Sequence, residues 1–288
     1  ALGSLIFGAI LLSGIDEINE KLKSVSDSEK TRLLDTMADS VVTPYILMAV
    51  VLFILGLLIL KAPLPTVTPE PIEEQKDGST SKTSIFQFPH LWLGVLALFM
   101  YVGAEVIAGD TIIAYGISLG ISAEDAKFFT SMTLMAMVGT YALGVVLIPK
   151  YLNQTLALKI SAVLGIIFSL CVVFTSGFTS ILFVASLGIA NALVWPAIWP
   201  LTLKGLGKFT ETASALLIMA IAGGAVLPPL YGKLVDSNKA TYIAEGMNEA
   251  MATAAASTKG YWILIPCYII ILYYAISGHK LGLKKSDN

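Results

Sequence analysis

The sequence predicts an all-α integral membrane protein, and three observations carry that prediction. Of 288 residues, 56% are hydrophobic and 13% charged, where soluble domains hold about 25% charged residues. Mean hydropathy is +0.80. Seven stretches reach the roughly 20 apolar residues that cross a bilayer as a helix: 42–60, 91–118, 128–148, 156–175, 178–203, 212–235 and 261–278. The net charge of -2 and the scattered lysines give no basic stripe for nucleic acid. Cys171 and Cys267 lie in apolar runs without CxxC or Cys/His spacing, which points to packing and to no metal or cofactor.

From the N-terminus, residues 1–13 form an apolar run too short to cross alone. It has no basic start and no initiating Met, so it reads as the end of a helix from a longer chain rather than a signal peptide. Residues 14–41 are expected as an outer loop and 42–60 as a span. The segment "KAPLPTVTPEPIEEQKDGSTSKTS", 61–84, is too rich in Pro, charge and Ser/Thr to pack a core, and reads as a cytoplasmic linker within 61–85. The clusters Lys150, Lys204/Lys208 and Lys280/Lys284/Lys285 fall on that same side if every span crosses once. Positive residues favour the cytoplasm, so the C-terminus is expected inside.

Residues 86–288 hold six spans in two triplets. Three crossings is an odd number, so consecutive triplets are inverted, the plan of many secondary transporters with a site near mid-membrane. The first helix of each triplet stands out, and both are expected to be interrupted. "YVGAEVIAGDTIIAYG", 101–116, carries Glu105, Asp110, Gly103 and Gly109, and "NALVWPAIWPLT", 191–202, carries two prolines. An acid at the centre of a spanning helix costs about 2.5–3.5 kcal/mol on insertion scales, so Glu105 and Asp110 point to a polar cavity or to helix contacts.

At 100° per residue Gly188, Asn191, Trp195, Trp199 and Thr202 share one helical stripe. An amide beside indoles suits a sugar, which offers hydroxyls to bond and C–H faces to cover; interfacial or packing tryptophans are the alternative. Tyr101, Glu105, Ala108, Ile112 and Tyr115 lie along one side of the other helix, with Asp110 about 140° from Glu105. The acids are therefore not a catalytic pair. Glu105 is favoured for the cavity, accepting sugar hydroxyls or taking up a proton, and Asp110 for a helix contact or the outer mouth. In "AIAGGAVLPPLYG", 220–232, Gly223-Gly224 allows close helix approach and Pro228-Pro229 a kink, as a gating helix or static packing requires. "KGLGK", 204–208, lacks the spacing of a phosphate loop. His90 and His279 are expected at the interfaces.

Three stretches resemble the sugar porters of the major facilitator superfamily, in the fucose permease group: "YVGAEV" (101–106), "KYLNQTLALKISAVLG" (150–165) and "NALVWPAIWPLTLKGLGKFTETASALLIMAIAGGAVLPPLYGKLVD" (191–236). "AGDTIIAYG" (108–116) and the paired "WP" look like the glucose/galactose branch. The resemblance implies the major facilitator fold of twelve helices in two halves. Residues 1–13 would end the fifth helix, 42–60 would be the sixth, and 91–278 the seventh to twelfth. It also implies uptake of a hexose, with L-fucose or an N-acetylated sugar as alternatives, by proton symport and alternating access in a bacterial-type inner membrane, with the N-terminal half as partner. The family's coupling carboxylates lie on its first and fourth helices, absent here, so a coupling role for Glu105 is a separate hypothesis. A non-transporting sugar sensor would keep the same stripe. An intramembrane aspartyl protease is a poor fit: "AGD" at 108–110 has Ile at 107 where glycine is needed, and no Tyr-Asp partner motif accompanies it. The protein is not expected to be an enzyme.

Overall fold

A computed structural model describes residues 21, 25–61, 83–148 and 150–283. The apolar start at 1–13, most of the proposed linker and the tail lysines 284 and 285 lie outside the described residues. Seven helical stretches among the described residues are long and apolar enough to cross a membrane. The chain separates into two compact units, divided near residue 76.

In the first unit, α1 (Asp27–Lys61) is one helix of 35 residues. It begins well inside the stretch expected as an outer loop. Residues 27–41 mix helix formers (Glu29, Lys30, Arg32, Leu33, Leu34, Met37, Ala38) with Asp, Ser and Thr, and a polar helical turn leaves no apolar signal to mark its start.

The second unit begins with α2 (Pro89–Ser118), opened by a proline in its first turn, where a missing N–H costs no helical bond. It is unbroken over 30 residues, contrary to the expected interruption. Its glycines serve close approach instead. A Cβ at Gly103 would stand 2.6 Å from Leu227 Cγ, and the Thr130 hydroxyl donates to the Gly109 carbonyl at 2.7 Å. The helix stops at Gly120, which adopts φ +86°.

A short helix α3 (Ala123–Ala126) leads into α4 (Phe129–Leu147), followed by α5 (Gln154–Phe174) capped by the Asn153 side chain. The next span is broken as its prolines demand: α6 (Gly177–Asn191) ends, Ala192 and Leu193 turn, and α7 (Val194–Leu203) starts. Pro196 would interrupt a continuous helix by removing a bond to residue 192, but it fits the first turn of a new one. Then come α8 (Thr210–Met219), a 3-10 turn at Ala220–Ala222, and α9 (Gly223–Ala244) containing Pro228 and Pro229.

α9 runs past the expected membrane end to meet α10 (Glu249–Gly260) across a turn at Gly246, φ +90°. Lys239 and Glu249 pair across that turn at 2.9 Å. The chain closes with α11 (Leu264–Ile276). α2 is the hub, packing against α4, α6, α7, α9 and α11, while α5 packs on α6 and α11. The buried core collects Leu98, Ile107, Ile112, Leu158, Ile181 and Ile271 with five tyrosines, at 101, 115, 261, 268 and 274.

Candidate functional site

Tyrosines in an apolar interior need partners for their hydroxyls, because lipid supplies none. Most here find them on another helix. Tyr115 bonds Ser180 Oγ at 2.6 Å and Thr258 Oγ1 at 3.0 Å, Tyr261 bonds Thr111 Oγ1 at 2.9 Å, and Tyr274 bonds Thr202 Oγ1 at 2.8 Å. These are ties between helices. They remove Tyr115 and Thr202 from the candidate site, although both lie on the expected stripes.

The predicted stripe at 188–202 divides at the break between α6 and α7. Gly188 is spent on packing, since any Cβ there would run into the Thr133 carbonyl and stand 3.2 Å from Met137 N. The middle of the stripe stays together. Trp195 and Trp199 are half-buried and stacked, with ring centroids 5.8 Å apart and planes at 17°. The edge of Tyr101 meets Trp195 at 6.4 Å and 61°. Glu105 follows Tyr101 by one turn on the same side of α2. Asn191 is 1% exposed, and its Oδ1 accepts from the Tyr268 hydroxyl at 2.9 Å.

Tyr101, Glu105, Asn191, Trp195 and Trp199 thus gather where α2, α6, α7 and α11 meet, and Tyr268 joins them from α11. Sequence reasoning missed Tyr268. Its signal was a phenol inside the run "ILIPCYIIILYY", seven residues after Tyr261, on one helical face. Asp110 is exposed and stands apart from the aromatic group. Gly223 and Gly224 face α2 instead: a Cβ at Gly223 would be 2.7 Å from the Phe99 carbonyl carbon, and one at Gly224 3.0 Å from Val106 Cγ2.

Both histidines, expected at the interfaces, are buried at helix ends. His90 is fully buried, with Nδ1 3.2 Å from the Leu281 carbonyl and Nε2 3.0 Å from the Lys204 carbonyl. His279 is also buried and bonds the Tyr274 carbonyl through Nδ1 at 3.0 Å. Both lie at helix ends, where their rings engage backbone carbonyls that close the turns. Burial holds the His279 imidazole below its ordinary value, aided by the charges of Lys280, Lys159 and Lys204 and opposed by its bond to Tyr274. No group of three or more His, Cys, Asp or Glu among the described residues is placed to hold a metal ion.

No family model matches the chain. A fold comparison is decisive: the major facilitator superfamily transporter FucP, solved in the outward conformation, aligns with a TM-score of 0.60 at 22% identity. The match covers 89% of this chain and 59% of that one. The chain has the major facilitator fold. Its sequence is 29% identical over 284 residues to the glucose/galactose transporter of Brucella abortus (strain 9-941), covering 96% of this chain and 59% of the relative. It is 25% identical over 260 residues to the L-fucose-proton symporter of Haemophilus influenzae, covering 90% of this chain and 57% of the relative. The chain therefore spans somewhat under two thirds of the curated relatives it matches. The relatives it matches are named as transporters.

Proposed function

We propose that this chain provides one six-helix wall of a secondary transporter that carries a hexose of the glucose/galactose kind with a proton. In this reading the 86–288 half contains inverted three-helix repeats, and the sugar binds between this wall and a second helical half. The two halves rock to open the site to each side in turn. The observation that carries the reading is the stacked Trp195–Trp199 pair, edged by Tyr101, beside a carboxyl at Glu105 and an amide at Asn191. Indole faces cover sugar C–H surfaces, and the amide and carboxyl read hydroxyls. The names of the Brucella and Haemophilus relatives support a monosaccharide and a proton. L-fucose is the second reading, favoured by the Haemophilus relative's name. The membrane is a bacterial-type inner membrane with the C-terminus cytoplasmic, Gly223-Gly224 and Pro228-Pro229 lie on a helix that gates, and Asp110 sits toward the outer mouth.

The test is accumulation of radiolabelled glucose, galactose, fucose and N-acetylglucosamine by vesicles holding the full-length protein, with and without an imposed proton gradient. Gradient-driven uptake of glucose or galactose supports the reading. Gradient-driven uptake of fucose alone selects the second. Sugar binding without uptake moves the protein to the sensor class, and no binding of any of the four removes the sugar reading.

A further inference from the structure

The side chain that decides what Asn191 can recognise is Tyr268, 77 residues away in sequence. A primary amide has two nearly isosteric ends, and its terminal torsion is broad and two-fold, so an unrestrained Asn presents either a carbonyl acceptor or an NH2 donor. Here the carbonyl end is taken: Tyr268 donates to Oδ1 at 2.9 Å. The phenol has no freedom to swing away. Tyr268 is 0% exposed, and its ring fills the space left by Gly165, where a Cβ would stand 2.6 Å from Tyr268 Cγ. The preceding residue is also held, because the Cys267 thiol donates to the Ile263 carbonyl at 3.2 Å and lies 3.8 Å from Met100 Sδ on α2.

The other end of the amide is open. Trp92 Nε1 is the fully buried side-chain nitrogen or oxygen without a partner among the described residues. Asn191 Nδ2 has no partner among the described residues either, yet it is not among such sealed atoms, so that nitrogen keeps some exposed surface.

We infer that Tyr268 is a positioning residue for the sugar site, locking Asn191 so that it meets substrate only as a hydrogen-bond donor. The inference rests on the monosaccharide reading and sharpens it: the group facing Asn191 is a hydroxyl or ring oxygen acting as acceptor. A hydroxyl both donates and accepts, a C–F group only accepts, and a C–H group does neither, so deoxyfluoro and deoxy sugars separate the two amide orientations.

The experiment measures binding of the transported sugar and its monodeoxy and monodeoxyfluoro analogues, position by position, to the full-length protein. In the unaltered protein one position should tolerate fluorine within about threefold, while its deoxy analogue binds roughly tenfold more weakly. Tyr268→Phe frees the amide to turn. The parent sugar should then weaken about three- to tenfold, and the fluoro analogue should lose its advantage over the deoxy one. In an Asn191→Ala background Tyr268→Phe should have no further effect, because the tyrosine acts through the amide. A tyrosine that only holds helices together would weaken every analogue by one factor and add to Asn191→Ala; either result overturns the proposal. So does a protein in which fluorine is tolerated no better than hydrogen at every position, a result that needs no variant and stands if Tyr268→Phe fails to fold. Absence of binding by any monosaccharide would defeat the sugar reading first and this inference with it, whereas normal binding with unchanged fluoro-to-deoxy ratios defeats this inference alone.

Discussion

Gly223 and Gly224 are adjacent, both lie at the start of α9, and the structure gives them opposite sensitivities to a single methyl group. At Gly223 an added Cβ would meet backbone: the Phe99 carbonyl oxygen, its carbon at 2.7 Å and the Phe99 Cα at 3.1 Å, against ordinary contacts of 3.4–4 Å. Backbone of a packed helix cannot rotate aside, so α9 itself must retreat by about an ångström. Overpacking of this kind costs about 1–3 kcal/mol, and replacing a helical glycine returns about 0.5–1. The net loss for Gly223→Ala is about 1–2 kcal/mol. At Gly224 the Cβ meets the tips of Val106 and Val102 at 3.0 and 3.2 Å, side chains that can yield, and the helical gain roughly cancels the strain. At about 2–4 °C per kcal/mol for a domain of this size, Gly223→Ala should melt roughly 2–8 °C below the unaltered protein, and Gly224→Ala within about 2 °C of it. The assay is thermal unfolding of the full-length protein in detergent. Equal melting of the two variants would refute the backbone-contact argument. A fall confined to Gly224→Ala would refute it more severely.

Three further outcomes follow from named contacts. Folding holds the His279 imidazole below its ordinary value near 6.5, so the unfolded chain takes its proton first. Its contribution to stability is therefore complete above that value and lost as pH falls below it. Melting temperature should drop between about pH 7 and 5, and His279→Gln should flatten that dependence; an unchanged slope counts against the histidine. Tyr115→Phe removes bonds to Ser180 and Thr258 in the core and should lower stability by about 0.5–2 kcal/mol, with sugar affinity unchanged. A loss of affinity without a loss of stability would place Tyr115 in the site. Glu105→Gln should weaken proton-driven uptake much more than sugar exchange in vesicles, and equal losses would make Glu105 a binding or structural residue.

The spans were legible because a bilayer demands long apolar runs, and all seven coincide with helices. Their ends were less so. α1 begins at Asp27 and α9 and α10 continue beyond the apolar core, since a helix in water needs no apolar signal. The break before Trp195 was legible because Pro196 removes a donor and clashes with the preceding turn. Glycines were misleading in α2, where Gly103 and Gly109 mark contacts with neighbouring helices and leave the helix continuous. Within the site, Asn191 and the paired tryptophans shared a readable stripe, and Tyr101 and Glu105 a single turn. Tyr268 was invisible because the bond that gives it meaning joins distant parts of the chain, and periodicity within one helix carries nothing about such partners.

Hydrogen bonding sorts the polar side chains of this interior into two groups, and the sorting says more about function than residue type does. Ser180, Thr111, Thr202, Tyr115, Tyr261 and Tyr274 all close on partners within the helical unit. Such bonds average only about 0.6 kcal/mol each in membranes, but together they fix which helices move as one body. Asn191 keeps its nitrogen open, and Glu105 is half-buried. A polar group left incomplete in an apolar surrounding is costly unless water, substrate or another wall completes it. On the reading proposed above, a single small polar molecule against the Trp195–Trp199 face completes both Glu105 and Asn191. Asp110, exposed and away from that face, cannot share it. On that reading, the carboxyl that substrate meets is therefore that of Glu105.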